Sequence, residues 1–170
     1  MNSKTIVILG GGIGGVVAAR RLRRLLDPVH RIVLVEREAR HLFQPSLLWR
    51  MTGQRTAAGI SRPLSALARQ GIEVVQGEIE RIDPAQRSVQ VAGTTLTGDY
   101  LVVALGAELA AETVPGLASA GHNFYTLAGA ESLRAARLAL THGYVALLVS
   151  GMPFKCPAAP YEAAMLLEAD

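Results

Sequence analysis

Short, uninterrupted apolar runs alternate with longer amphipathic stretches along this chain, and glycines stand at most of the joints. Thr5 to Leu9, Arg31 to Val35 and Leu101 to Leu105 have the length and continuity of strands buried on both faces of a parallel sheet, and Ile72 to Gln76 predicts a further strand. Ile13 to Leu26 repeats its apolar residues, Val16, Val17, Leu22, Leu25 and Leu26, along one helical face, and Asp27-Pro28 stops it. Strand, glycine turn, helix and strand in that order predict a βαβ unit.

Beyond Glu38 the pattern weakens. The stretch to Ser61 predicts a loop with a short helix up to Gly53, and such excursions reach over a ligand or a neighbouring domain. Arg62 to Gln70 predicts a helix closed by Gly71. Glu78 to Asp83, Ser88 to Val91 and Thr94 to Thr97, with turns at Asp83-Pro84 and Ala92-Gly93, predict a small antiparallel meander. After a loop holding Val114-Pro115-Gly116, the spacing predicts a helix from Glu131 to Thr141, a strand from Tyr144 to Val149, and a last helix beginning near Tyr161. The fold class expected is α/β: a Rossmann-like domain in residues 1–107, then the incomplete start of a second such domain in 108–170. A βαβ unit opened near the end without its second strand suggests the N-terminal portion of a longer protein.

The glycine turn carries the first chemistry. Gly10, Gly12 and Gly15 satisfy G-x-G-x-x-G between a strand and a helix, and Glu36 ends the second strand 21 positions after Gly15. Gly10 serves the tight turn, Gly12 leaves bare backbone for a pyrophosphate, and Gly15 lets helix approach strand. The helix N-terminus offers free N–H groups to phosphate, and a carboxylate at Glu36 can accept from both ribose hydroxyls. That carboxylate would repel a 2′-phosphate, which disfavours NADP and leaves FAD or NAD.

Composition narrows the classes further. The chain has 170 residues, half of them hydrophobic, enough for a real core. Seventeen basic against 14 acidic residues give +3, and 5% aromatics offer little for base stacking, so no nucleic-acid partner is expected. One cysteine allows no internal disulfide, and no run reaches the ~18 apolar residues of a membrane span. The expected location is cytoplasmic, with peripheral attachment to the inner membrane left to sequence beyond this chain, and a homo-oligomer is left open. His30, His41, His122 and His142 lack metal-ligand spacing and read as surface or strand-flanking residues, so no metal is expected.

The cysteine, Cys156, lies in Gly151-Met-Pro-Phe-Lys-Cys-Pro-Ala-Ala-Pro-Tyr-Glu162. A second dinucleotide loop there would need small residues, and Pro153 and Cys156 stand in their place. Lys155 beside the sulfur and a helix start after it both favour a thiolate, and Pro153, Pro157 and Pro160 stiffen the loop. The plainer alternative is a small buried hydrophobe.

Thr97 to Ala107 resembles the second FAD signature of flavoproteins with two dinucleotide-binding domains, with Asp99-Tyr100 in reversed order and Leu105 where a threonine is usual. Phe43-Gln-Pro45-Ser-Leu47, Val75 to Asp83 and above all Pro153 to Glu162 resemble the sulfide:quinone oxidoreductases and the flavin subunit of flavocytochrome c sulfide dehydrogenase. That resemblance implies FAD as cofactor, sulfide and quinone as substrates, and Gly106 close to the FAD pyrophosphate. It implies that Cys156 is one of two redox cysteines that hold sulfur as a persulfide. It further implies that Glu162 handles protons near the flavin and that Pro45 packs near the isoalloxazine. Relatives with a third cysteine carry it in the loop that here reads Gly121 to Ala130, which has none. Two other readings stand beside it: a flavoprotein driven by NAD(P)H, such as a type II NADH dehydrogenase or ferredoxin reductase, and a nucleotide-binding remnant without turnover.

Overall fold

The structure, a computed structural model, describes residues 2–169 and divides into two compact units. The first comprises Met1–Leu42 and Ser61–Ala107, the second Phe43–Ile60 and Glu108–Asp170. The excursion 43–60 therefore groups with residues 108–170 rather than with 1–107.

The first unit is α/β. Its elements are β1 (Thr5–Leu9), α1 (Ile13–Leu25), β2 (Arg31–Glu36), β3 (Arg40–Leu42), β4 (Ser61–Pro63), β5 (Glu73–Gln76), β6 (Ile79–Asp83), β7 (Ser88–Val91), β8 (Thr94–Thr97) and β9 (Tyr100–Val103). Four strands make a parallel sheet in the order β5-β2-β1-β9, with Ile6 opposite Ile32 and Tyr100. Successive side chains point to opposite faces, so a run with no polar position needs cover on both. On one face Ile6, Ile8, Ile32 and Leu34 pack with Ala19 of α1 and with Leu64, Leu67 and Ile72. On the other, Val7, Leu9, Val33 and Val35 pack with Val89 and Val91 of the antiparallel meander β6-β7-β8. Full burial of side chains this size contributes about 1.5–3 kcal/mol each, so the two clusters are the main source of this unit's stability.

The sheet's margins are tied by ion pairs. Arg31 on β2 donates to both carboxylate oxygens of Glu73 on β5, each at 2.8 Å. Lys4 and the Thr5 N–H both donate to Asp99 at 2.8 Å, which fastens the start of β9 to β1 and gives the Asp99-Tyr100 order a structural use.

Two local expectations need revision in this unit. β3 and β4 form a two-stranded antiparallel sheet inside what reads as loop and helix. The helix expected from Arg62 is a 3-10 helix over Leu64–Gln70, because Ser61–Pro63 is drawn into β4. Leu64 and Leu67, three apart and both buried, match its three-residue period. Gly71 closes it in the left-handed conformation, φ 73°, as its position suggests.

The second unit is helical among the described residues: α2 (Leu47–Met51), α3 (Leu117–Ala120), α4 (Leu127–Ala139) and α5 (Ala159–Glu168), with short 3-10 turns. α2 packs on α4 and α5. Leu47, Leu48 and Met51 are buried there, and so are Ala130 and Ala163, whose small size lets helices approach. Arg50 pairs with Glu131 at 3.0 Å, and Arg137 donates to the Thr52 carbonyl at the end of α2. α4 begins four residues before the expected Glu131. Thr126 caps it by accepting from the Gly129 N–H at 3.0 Å, and the Asn123 side-chain oxygen in turn accepts from the N–H groups of Tyr125 and Thr126.

The strand expected at Tyr144 to Val149 is not formed. The run is irregular and exposed, with Leu148 at 73%. A parallel strand gains its hydrogen bonds and its burial from neighbours, and none pairs with this run among the described residues. Its apolar composition records a preference that has no ladder to join.

Candidate functional site

In the first unit the glycine turn sits between β1 and α1, beside the ends of β2 and β9. Gly10 has φ 102°, and a side chain on it would run into the Ala104 carbonyl after β9. Gly15, buried in the first turn of α1, would strike the Gly10 carbonyl if it carried a Cβ. Gly12 differs from both: a Cβ there would meet nothing within 4 Å, so it fronts open space. That is the pattern a phosphate cradle requires, with two glycines shaping the turn and one leaving its backbone uncovered. Gly106, just beyond β9, also takes a left-handed φ of 78°.

Glu36 is half-buried at the end of β2 and faces the turn. One carboxylate oxygen accepts from the Gly11 N–H at 2.5 Å and the other from the Glu38 N–H at 3.0 Å. Each oxygen keeps lone-pair capacity for a further donor such as a ribose hydroxyl. A Cβ on Gly11 would lie 2.7 Å from the Glu36 Cγ and 2.9 Å from Leu64, so a fourth glycine, at a position the motif leaves variable, makes room for the acidic residue. His41 was missed by sequence reasoning: its Nδ1 is 2.9 Å from the Gly11 carbonyl oxygen. Nothing local marks that contact, since 30 residues separate the two.

The other expected site residues are in the second unit. Pro45 is exposed in a 3-10 turn, Gln44–Ser46, that leads into α2. The following Ser46 is buried and accepts from Arg55, whose guanidinium lies 4.8 Å above the Trp49 ring. Cys156 is a free, exposed thiol. It is therefore not the small buried hydrophobe that a lone cysteine often is. Its φ of 53° is left-handed, a conformation L residues hold only where the surroundings impose it and one that gathers at functional sites. Its carbonyl accepts the Ala159 N–H at 3.0 Å and so starts α5, in whose first turn Glu162 stands half-buried.

Tyr125 joins Cys156 unannounced. Burial pushes its phenol above the ordinary tyrosine value, and a charge on the Cys156 sulfur would push in the same direction, so the two groups lie within electrostatic reach of each other. Phe124 lies against Tyr125 with ring centroids 4.8 Å apart. His122, in the same loop, is exposed with Nδ1 3.1 Å from the Ser132 hydroxyl, in keeping with a solvated loop residue. Among the described residues no group of histidine, cysteine and carboxylate side chains could hold a metal, and no helix is long and apolar enough to cross a membrane.

A parallel sheet of this order, with a glycine turn at its centre and an acid on the adjoining strand, defines a dinucleotide-binding α/β protein. The chain belongs to the pyridine nucleotide-disulphide oxidoreductase family, whose model matches residues 4–151. These are FAD-dependent oxidoreductases, and FAD is the cofactor. Mouse mitochondrial sulfide:quinone oxidoreductase is 26% identical over 99% of this chain and 38% of its own length. Demethylphylloquinone reductase NdbB of Synechocystis is 38% identical over 76% of this chain and 34% of its own. The structure of the sulfide:quinone oxidoreductase from Aquifex aeolicus superposes with a TM-score of 0.76 at 30% identity, covering 80% of this chain and 32% of that one. The chain thus spans about a third of the length of these relatives.

Proposed function

We propose that this chain supplies the ADP-binding half of the flavin site and one redox thiol of an enzyme that oxidises sulfide and reduces quinone. The observation that carries this reading is Cys156, an exposed thiol in a left-handed backbone conformation at the start of α5, in a chain similar along nearly its whole length to a sulfide:quinone oxidoreductase. Gly10, Gly12, Gly15 and Gly106 would take the pyrophosphate and Glu36 the ribose. Pro45 would lie against the flavin ring, and Glu162 would exchange protons near it.

The chain's part in the chemistry is nucleophile and sulfur carrier. Hydrosulfide attacks a cysteine disulfide, one sulfur keeps the incoming atom as a persulfide, and the other leaves as a thiolate. Rejoining that thiolate to the persulfide sulfur, with loss of its proton, forms an S–S bond and gives up two electrons, which FAD would accept when bound and a quinone would then take up. With one cysteine in 170 residues, the partner sulfur must come from outside this sequence. A quinone acceptor fits the names of both curated relatives, and peripheral contact with a membrane would follow from its solubility.

The test is sulfide-dependent reduction of a soluble quinone by an FAD-loaded longer protein that contains this chain together with the partner cysteine, and by its Cys156→Ser variant. The substitution should abolish turnover and leave FAD bound; undiminished turnover removes the thiol role. A second reading is favoured by the 38% identity to a quinone reductase whose name does not mention sulfide. In that reading a reduced pyridine nucleotide is the donor, and NADH would drive the same assay with Cys156→Ser unaffected. FAD binding without turnover by either donor would assign the chain a nucleotide-holding role.

A further inference from the structure

The Gly11 residue is held on both sides. Its N–H donates to Glu36 and its carbonyl faces Nδ1 of His41, a half-buried side chain on β3. His41 is itself fixed by register, opposite Arg62 of β4 in the two-stranded sheet. Because a carbonyl oxygen can only accept, the ring nitrogen that bonds it must carry the proton. The imidazole is therefore required as the Nδ1–H form.

The consequence lies in the next peptide group. The bond between Gly11 and Gly12 is trans, since the described residues contain a cis bond only at Met152-Pro153. In a planar trans peptide the carbonyl and the following N–H point in opposite directions. Holding the Gly11 oxygen toward His41 therefore turns the Gly12 N–H away from it, at the one motif glycine that fronts open space. A donor on the carbonyl also polarises the amide and strengthens its N–H as a donor. Three consecutive glycines, Gly10 to Gly12, have no side chains of their own to choose this orientation.

We infer that His41 is a positioning residue of the dinucleotide site: by donating from Nδ1 to the Gly11 carbonyl, it presents the Gly12 N–H to the cofactor's pyrophosphate. This rests on FAD being the ligand of the glycine turn. It assigns the β3–β4 sheet a part in cofactor affinity through the peptide groups of the turn.

The discriminating pair is His41→Asn, whose side-chain nitrogen can take the place of Nδ1, and His41→Leu, which fills similar space without a donor. FAD is titrated into the apo forms of the unaltered chain and both variants, following quenching of flavin fluorescence, and thermal unfolding of the apo forms is recorded alongside. His41→Leu should weaken FAD binding about five- to tenfold, the effect of losing one hydrogen bond. His41→Asn should stay within about twofold. In the unaltered chain, side-chain 15N spectra should place the His41 proton on Nδ1. Wild-type affinity in His41→Leu overturns the role, as does equal loss in both variants, which would make His41 a packing residue, or a proton on Nε2 alone. An unaltered chain that binds no FAD overturns the cofactor assignment of the glycine turn, and this role with it.

Discussion

Gly12 and Gly15 belong to one motif but do different physical work, and two alanine substitutions separate that work. At Gly15 the new Cβ would enter the space of the Gly10 carbonyl and lie 3.4 Å from a methyl of Leu34. Both neighbours are fixed, one by the turn and the other by the sheet core. Alanine in place of glycine returns up to about 1 kcal/mol of helix propensity. Forcing α1 away from β1 costs about 1–3 kcal/mol as an overpacked core. Gly15→Ala should thus lose on the order of 1–2 kcal/mol of stability, and its FAD affinity should fall because the turn itself is displaced. At Gly12 the backbone is ordinary extended chain, φ −71° and ψ −170°, and the added methyl meets nothing. Its folding cost should be about 0.5 kcal/mol, that of alanine at a helix N-cap. The methyl does occupy the surface that phosphate must approach, so FAD affinity should drop at least about tenfold, roughly 1.4 kcal/mol. Urea unfolding followed by circular dichroism gives the first quantity, provided the slope is unchanged, and FAD fluorescence titration gives the second. Equal destabilisation by both substitutions, or wild-type FAD affinity in Gly12→Ala, would refute the division of roles.

Two further expectations concern the frame around the sites. Thr126→Ala removes the cap of α4 and should cost about 1 kcal/mol, read as a lower urea midpoint; no change would mean that Asn123 alone holds the turn. Asp99 is kept below the ordinary aspartate value of 3.8, first by its hydrogen bond from Lys4 and then by the Thr5 N–H. Its contribution is therefore present above pH 3.8 and fades as the pH falls through the lower folded value. Asp99→Asn should accordingly be less stable than the unaltered chain at neutral pH, with the gap narrowing in acid; a gap that widens in acid would contradict the pairing. On the alkaline side the same pair raises Lys4 above 10.5, so its contribution holds below that pH and is lost as the pH rises through the folded value.

Much of the first unit is legible from local pattern, because a buried parallel strand is a continuous apolar run and a glycine turn has few sequence solutions. β1, α1, β2 and the meander lie within a residue or two of where the periodicity puts them, and Glu36 faces the turn as its place at the end of β2 suggests. Local pattern fails where partners decide. Tyr144 to Val149 has a strand's composition and no ladder, and Arg62 to Gln70 lost its first turn to a pairing with β3. The start of α4 depended on a single hydroxyl at Thr126.

At the sites the division is sharper. Sequence alone determined the chemistry available: three glycines in register, one acid, one thiol with a carboxylate six positions on, and a family resemblance that a match over residues 4–151 supports. The tertiary structure decided which groups meet. It brought His41 to Gly11 across 30 residues, set Tyr125 within electrostatic reach of Cys156, and bared Gly11 for Glu36 as well as Gly12 for solvent. Local preference is carried by neighbours in the chain, whereas the orientation of a peptide group or the exposure of a sulfur is set by atoms that only folding brings near.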